Sequence, residues 1–230
     1  KKLKPGEGAQ ALALTNKGKV TAILLVLADE DALWIETDPE RARFLKSHWE
    51  RLIITDDVEI SDRSESLGVV ALTGADAPAF LAQASRDAVP DLPPLGHAPF
   101  SLGGQQARLV HACRAGGPGL ELWTLAAYTG PLRGVLARAG ALPADEEALR
   151  ISNGIPRYGT DVTEETLPQE AGFDEETGWI SYAKGCYVGQ ETIARLHNLG
   201  QVQKRLCLVP EGLRYQKRGE AGTPVAPRLA

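Results

Sequence analysis

The sequence predicts an α+β fold built from antiparallel hairpins and helices. Short apolar segments recur on either side of turn residues, most clearly around residues 16–19 (NKGK) and 114–119 (RAGGPG). Segments with helical spacing also occur, but they do not alternate regularly with single strands. A parallel sheet wound by successive strand–helix–strand units is therefore not expected.

The first part of the chain is predicted to form strands and one helix. Short segments rich in apolar and β-branched residues predict strands at residues 11–15, 20–27 and 33–36. A helix is expected to open at Asp38-Pro39, since Asp favours the N-cap and Pro the first helical position. Residues 53–60 are interpreted as a loop followed by a further strand.

The remainder is predicted to mix both kinds of element. Strands are expected at residues 67–72, 107–113, 120–125 and 205–209. Helices are expected at residues 77–84, 131–139 and from 144 onward. The intervening residues 89–104 are rich in Pro and Gly and are expected to form a loop.

The composition excludes several classes of protein. A chain of 230 residues with 43% hydrophobic and 24% charged residues is typical of a globular protein with a real core. A net charge of −5 argues against tight non-specific binding of nucleic acid. The longest apolar run, residues 20–28, is far shorter than the roughly 20 residues that a membrane-spanning helix needs. No signal peptide is recognised.

The cysteines indicate the redox setting. Three Cys without a CxxC pair do not make a disulfide framework, so we expect a reduced, cytoplasmic environment. The same spacing argues against a structural metal site. The chain contains no Met at all, and we therefore expect the sequence to be incomplete.

The most informative stretch is residues 184–191, KGCYVGQE, called here the octapeptide. It places the Cys186 thiol between Gly185 and Gly189, which tolerate backbone conformations closed to other residues. Lys184 is expected to raise the thiolate fraction of Cys186, and Gln190 supplies hydrogen-bonding groups. The alternative is a glycine-rich turn with a merely buried Cys, as free Cys often is.

This octapeptide resembles the KGC[YF]xGQE motif of the YgfZ-like folate-binding proteins, which are relatives of the glycine-cleavage T-protein (aminomethyltransferase). The resemblance covers about residues 12–208. It implies a multi-lobed fold with mostly antiparallel sheets. The lobes would be an α+β lobe at residues 1–65, a second at 66–200 that contains the octapeptide, and the start of a largely missing C-terminal β-barrel at 201–230.

The resemblance also implies a function. It predicts binding of tetrahydrofolate or a derivative, and support of the assembly or repair of iron–sulfur enzymes and of tRNA modification. Folate and iron–sulfur client enzymes would be the partners. Cys186 would be the working thiol with Lys184 beside it, and the implied folate-binding residues are Glu121, Arg114, Tyr187, Gln190, Glu191 and Arg195.

A second matching stretch is RAGGPGLE at residues 114–121, which resembles the R-x-G-x-x-G-x-E pattern of the T-protein superfamily. In that superfamily the last glutamate hydrogen-bonds the pterin, which places the role on Glu121. A carboxylate can accept two N–H bonds from a 2-aminopyrimidinone edge. The alternative is an ordinary hairpin with a solvated Glu.

Two further stretches continue the resemblance. In residues 153–170 the carboxylates Asp161 and Glu170, with Arg157, would line the central channel, although Asp161 alternatively caps a helix. Residues 192–204 add basic side chains that would meet the glutamate tail of folate or a phosphate, or else form a solvated face: Arg195, His197 and Lys204.

One departure from the superfamily concerns the second strand. The aminomethyltransferases have an aspartate there, whereas residues 21–24 read TAIL, and an alkyl side chain cannot accept a proton. This argues against aminomethyl transfer, which stays as the alternative function. A partner-docking scaffold without a small ligand is a third.

Overall fold

The computed structural model describes residues 2–85 and 88–230. The strands of this part of the chain are β1 (Gly8–Leu14), β2 (Val20–Ala28), β3 (Leu33–Glu36), β4 (Leu67–Thr73), β5 (His97–Leu102), β6 (Gln105–Val110), β7 (Gly119–Leu125), β8 (Lys204–Val209), β9 (Gly212–Lys217) and β10 (Thr223–Pro224). The helices are α1 (Pro39–Glu50), α2 (Ala77–Ser85), α3 (Ala126–Arg138), α4 (Glu146–Ser152) and α5 (Gln190–Leu199), with a 3-10 turn at Pro168–Ala171.

The strands form antiparallel sheets, which confirms the predicted mixture of antiparallel strands and helices. Their orders are β1-β2-β3, β4-β7-β6-β5 and β10-β8-β9. The division into lobes at residues 65 and 200 stays a prediction.

The strand β2 is central to the first sheet, and its two faces serve two clusters. Leu24 packs in one cluster with Leu45 of α1, while Leu27 packs in another with Phe173. Burial on both faces explains why β2 is continuously apolar rather than alternating. The second sheet packs its own cluster against Leu81 of α2 and Leu132 of α3.

The last residues of the chain tie distant parts together. The carbonyl of Leu229 accepts a hydrogen bond from the Cys113 amide at 2.7 Å, and the carbonyl of Pro227 accepts one from Trp179 Nε1 at 2.9 Å. Gly172 permits this approach, since a Cβ there would lie 2.3 Å from the carbonyl oxygen of Val225. The terminal segment is therefore part of the packed structure.

Several predicted elements are wrong. Residues 53–60 contain neither strand nor helix, and the alternation misled because the side chain of Ile54 is 88% exposed rather than facing a core. The predicted loop 89–104 contains β5, which turns into β6 through Gly103 and Gly104 with positive φ. The helix expected at 131 begins at Ala126, directly after β7, so Pro131 lies inside it.

Candidate functional site

The turn between β6 and β7 positions Glu121. Gly116 and Gly117 adopt φ of +74° and +76°, which lets the chain reverse tightly before β7. Glu121 then lies in the interior of the sheet, opposite Ala71 on β4 and Val110 on β6. The residue is 1% exposed, so the alternative of a solvated hairpin Glu is wrong.

The carboxylate of Glu121 is held by N–H donors. Its Oε1 accepts the backbone N–H of Arg114 at 2.7 Å, and Nε of the same Arg lies 3.4 Å away. Its Oε2 accepts Nε1–H of Trp123 at 2.9 Å. A buried carboxylate of this kind is stable only with such donors, and the hairpin itself supplies them.

Arg114 links this hairpin to the first sheet. Its Nη2 lies 3.2 Å from Oε1 of Glu36, the last residue of β3, so the guanidinium is shared between Glu36 and Glu121. Burial alone would lower the pKa of Arg114, but Glu36, Glu121 and Glu146 outweigh it and raise the pKa. The cation therefore stays protonated at every working pH.

The sequence reasoning missed Glu36 and assigned Asp38 only a capping role. Burial raises the pKa of Glu36, opposed by Arg114 and reinforced by Glu121. Burial likewise raises the pKa of Asp38, opposed by Arg157. Two acids at the end of a short strand were visible in the sequence, but nothing there indicated that the distant Arg114 pairs with one of them.

We call Glu36, Asp38, Arg114 and Glu121 the carboxylate cluster. The side chains of Glu36 and Arg114 are 29% and 31% exposed, whereas that of Glu121 is 2% exposed, so the cluster has an open and a closed side. Acids with raised pKa values can hold or pass a proton closer to neutral pH than ordinary acids do. The cluster combines this property with acceptors suited to N–H groups.

The carboxylates at residues 153–170 are engaged elsewhere. Oδ2 of Asp161 accepts from Arg150 Nη1 at 2.7 Å and from the Arg157 amide at 2.9 Å. Oε2 of Glu170 accepts the Leu167 amide at 2.9 Å and so caps the 3-10 turn. The alternative of Asp161 as a helix cap is wrong, because no helix starts there.

The octapeptide forms a loop that runs into α5. Cys186 is exposed, whereas Cys113 and Cys207 are buried, so the alternative of a buried octapeptide thiol is wrong. Lys184 Nζ lies 4.5 Å above the ring of Tyr187, whose amide donates to Gln190 Oε1 at 3.1 Å. The lysine charge is thus directed to an aromatic ring.

Gly189 of the octapeptide has a structural role. It adopts φ of +82°, and a Cβ there would lie 2.5 Å from the carbonyl oxygen of Thr15 in the β1–β2 turn. Ile193 of α5 is fully buried, which anchors the same contact. By contrast, a Cβ at Gly185 would meet nothing within 4 Å. At Gly189 the glycine therefore docks the motif on the first sheet.

A pair of stacked aromatic rings joins the segment before the octapeptide to α5. The ring of Tyr182 stacks on His197 of α5 with centroids 3.8 Å apart, and its hydroxyl donates to Asp174 Oδ1 at 2.9 Å. Burial raises the pKa of Tyr182 to about 12, so this donor keeps its proton. The helix α5 itself was not predicted from the sequence.

The predicted folate-binding residues fall into two groups. Arg114 and Glu121 lie in the carboxylate cluster, while the others lie on the octapeptide and α5: Tyr187, Gln190, Glu191 and Arg195. Within residues 2–85 and 88–230 no hydrogen bond or ion pair joins the two groups. Glu191, Arg195 and His197 are exposed. Whether these groups bind one ligand stays a prediction.

Metal-binding groups and membrane-spanning helices are both absent from residues 2–85 and 88–230. Among the residues that the structure describes, no three His, Cys, Asp or Glu side chains are grouped so that they could hold a metal ion. In the same part of the chain, no helix is both long and apolar enough to cross a membrane.

Comparison with solved structures assigns the fold. The chain is similar to the glycine cleavage system aminomethyltransferase T from Bartonella henselae, with a TM-score of 0.65. The match covers 89% of this chain and 56% of that one at 16% identity. The fold is thus that of an aminomethyltransferase.

Comparison of sequences gives the same class. The chain is 31% identical to an aminomethyltransferase of Rubrobacter xylanophilus over 232 residues, which is 95% of this chain and 58% of the relative. It is 27% identical to an aminomethyltransferase of Thermosynechococcus vestitus over 195 residues, 83% of this chain and 52% of the relative. No protein-family model matches.

The names of these relatives support a likeness to the glycine-cleavage T-protein superfamily, and the structural neighbour supports the same fold. The chain spans little more than half the length of the curated relatives it matches. The YgfZ-like subfamily is not distinguished by them, and their names favour the aminomethyltransferase alternative over the iron–sulfur role.

Proposed function

We propose that the protein binds tetrahydrofolate or a derivative at the carboxylate cluster, as a folate-dependent protein of the aminomethyltransferase type. The observation that supports this most is the state of Glu121, a buried carboxylate fixed by Arg114 and Trp123. The names of the relatives agree with it.

The donor and acceptor set fits a reduced pterin. A carboxylate offers about four acceptor positions, and the two N–H groups that donate to Glu121 leave about two for a ligand. A ligand would approach the carboxylate cluster from the side of Glu36 and Arg114, whose side chains are partly exposed. Bound folate would supply the one-carbon carrier, and this chain would hold its ring.

Glu36 is a carboxylate that can replace the acid missing from the second strand. Residues 21–24 carry no acid, and Thr21 is the only hydrogen-bonding side chain among them. We propose that Glu36, which has a raised pKa and lies across Arg114 from Glu121, handles the proton instead. Glu36 would then supply the carboxylate for aminomethyl transfer that residues 21–24 do not provide.

The experiment is titration calorimetry with tetrahydrofolate, followed by an assay for methylene transfer to or from it. Saturable binding with transfer supports the aminomethyltransferase type, and saturable binding without transfer supports a folate-binding protein of the YgfZ kind. No binding would refute both.

A second function is favoured by the exposed Cys186 in the octapeptide. We propose that this thiol, with Lys184 beside it in sequence, serves thiol exchange during the assembly or repair of iron–sulfur enzymes and supports tRNA modification. Iron–sulfur clients would then be its partners and a reducing cytoplasm its setting. The test is a Cys186→Ser strain: activities of iron–sulfur enzymes should fall, and unchanged activities would refute the role.

A further inference from the structure

A second polar cluster joins the first sheet to the second beside the carboxylate cluster. Asp29, which follows β2, accepts hydrogen bonds from Arg108 of β6 at 2.9 Å on Oδ1 and at 2.5 Å on Oδ2. The same Oδ2 accepts Nε1–H of Trp34 at 2.8 Å. Nη1 of Arg108 also lies 2.6 Å from Nδ1 of His97 on β5, so the guanidinium is held from two sides. We call Asp29, Trp34, His97 and Arg108 the junction cluster.

Strand register places Arg108 next to the partner of Glu121. Arg108 on β6 lies directly opposite Trp123 on β7, so their side chains share one face of the second sheet. Glu121 lies two residues before Trp123 on the same face of β7 and accepts its indole N–H at 2.9 Å. Trp123 therefore neighbours Arg108 across the strands and Glu121 along its own strand.

A similar relationship links Arg108 to Glu36 through β3. Trp34 and Glu36 are two residues apart and share a face of this strand. The guanidinium carbon of Arg108 lies 5.4 Å from the ring centroid of Trp34, and Glu36 lies 3.2 Å from Nη2 of Arg114. The strand has four residues and lies at the edge of its sheet, where it pairs with β2. Its position against the second sheet therefore depends on these side-chain contacts.

We infer that Arg108 is a positioning residue for the carboxylate cluster, an inference that rests on the proposed folate site. Arg108 holds Trp34 and Trp123, and through them it fixes the positions of Glu36 and Glu121 relative to a ligand. Groups that bind a ligand must be held to within about half an ångström by packing and by hydrogen bonds behind them. Asp29 fixes Arg108 in turn, because a bidentate pair of arginine and carboxylate has a defined geometry.

A purely electrostatic role of Arg108 predicts the opposite change at Glu36. Burial is the main reason for the raised pKa of Glu36, and the charged groups that face it are Arg114, Asp38, Glu121 and Glu146. Removal of a nearby cation would raise the pKa of Glu36 further. Release of β3 would instead expose Glu36 to water and lower its pKa toward the ordinary value. The sign of the change therefore separates the two roles.

The test compares the wild type with Arg108→Gln and Arg108→Lys, and with the control Arg150→Gln. Arg150 is a matched control because it also donates to a carboxylate from a different part of the chain, Asp161 Oδ2 at 2.7 Å. The pKa of Glu36 is measured by NMR titration of isotope-labelled glutamate carboxylates, with Glu36→Gln to assign its signal. Binding of tetrahydrofolate to the same proteins is measured by calorimetry.

The two measurements should change together at Arg108. In Arg108→Gln the pKa of Glu36 should fall toward its ordinary value. Tetrahydrofolate should bind this variant roughly tenfold more weakly, because the charge-assisted hydrogen bonds that anchor the cluster are lost. Arg108→Lys keeps the charge but not the bidentate pair, so it should behave like Arg108→Gln. Arg150→Gln should match the wild type in both measurements.

The inference would be overturned by a Glu36 pKa that is unchanged or higher in Arg108→Gln, or by an equal fall in Arg150→Gln. Equal affinity of the wild type and Arg108→Gln for tetrahydrofolate would also overturn it. Absence of binding by the wild type would refute the proposed function, and the pKa of Glu36 would still decide whether Arg108 positions that carboxylate. If Arg108→Gln does not fold, Arg108→Lys is judged by the same criteria.

Discussion

Arg114 and Glu121 are joined twice within one hairpin: the Arg114 amide donates to Glu121 Oε1 at 2.7 Å, and its guanidinium Nε lies 3.4 Å from the same oxygen. The residue that opens the turn therefore fixes the carboxylate that follows it. Because the guanidinium also reaches Glu36, the hairpin and the first sheet share one cation. This link is the structural basis of the proposed folate site.

The first prediction concerns Glu36. Burial raises the pKa of Glu36 in the native state. As the pH rises, Glu36 therefore loses its proton in the unfolded chain first, and the free energy of unfolding decreases between the ordinary and the raised pKa. Glu36→Gln should remove that loss, and the free energy of unfolding of the variant should fall less as pH rises. Urea titrations at several pH values measure this, with the exposed Glu40→Gln as control. Parallel curves for Glu36→Gln and the wild type would contradict the burial argument.

The second prediction concerns His97, whose Nδ1 accepts from Arg108 Nη1 at 2.6 Å and whose Nε2 donates to the Ala28 carbonyl at 3.0 Å. Burial, with the Arg108 charge, lowers the pKa of His97. As pH falls below about 6.5, His97 binds a proton in the unfolded chain but not in the native state. The free energy of unfolding therefore decreases until the pH reaches the lowered pKa of native His97. His97→Gln should flatten this drop, whereas replacement of the exposed His48 should not. A drop of equal size in His97→Gln would refute the assignment.

The third prediction concerns the thiols. In the native protein iodoacetamide should modify Cys186 alone, because Cys113 and Cys207 are buried and burial raises the pKa of both. Mass spectrometry should show one adduct in the wild type, none in Cys186→Ser and three in the unfolded wild type. A native protein that resists alkylation would rule out a thiol-exchange role. Repeating the reaction with tetrahydrofolate tests whether the octapeptide borders the ligand.

The fourth prediction concerns Gly189. Gly189→Ala introduces both a strained backbone and a clash with the Thr15 carbonyl, whereas Gly159→Ala introduces only the strain, since Gly159 has φ of +83° and open space. Strain alone costs about 1–2 kcal/mol, so Gly189→Ala should cost clearly more. Chemical denaturation of the two variants measures the difference. Equal losses would show that the octapeptide does not dock on the β1–β2 turn as described.

Sequence patterns predicted the elements whose signals are local. The apolar run of β2, the Asp38-Pro39 start of α1 and the glycine turn before β7 are each encoded within a few residues. The strand expected at 53–60 was wrong because alternation alone does not reveal whether a core lies opposite. The helix α5 was missed because its first residues read as part of the octapeptide motif.

The site was predictable only in part, for the same reason. Burial of Glu121 followed from its apolar neighbours, and exposure of Cys186 followed from its polar ones. The pairing of Glu36 with Arg114 depends on how the first sheet meets the second, which no local pattern reports. Nor does any pattern reveal that Gly189 packs against the Thr15 carbonyl.

The most direct test of the folate site is the melting temperature with and without saturating tetrahydrofolate, for the wild type, Glu121→Gln and the exposed control Glu211→Gln. A ligand at 100 times its Kd should stabilise the native state by about 2.7 kcal/mol, so the wild type and Glu211→Gln should melt at higher temperature with folate. Glu121→Gln should gain nothing. An unchanged wild-type melting temperature, or the same rise in Glu121→Gln, would contradict the proposal.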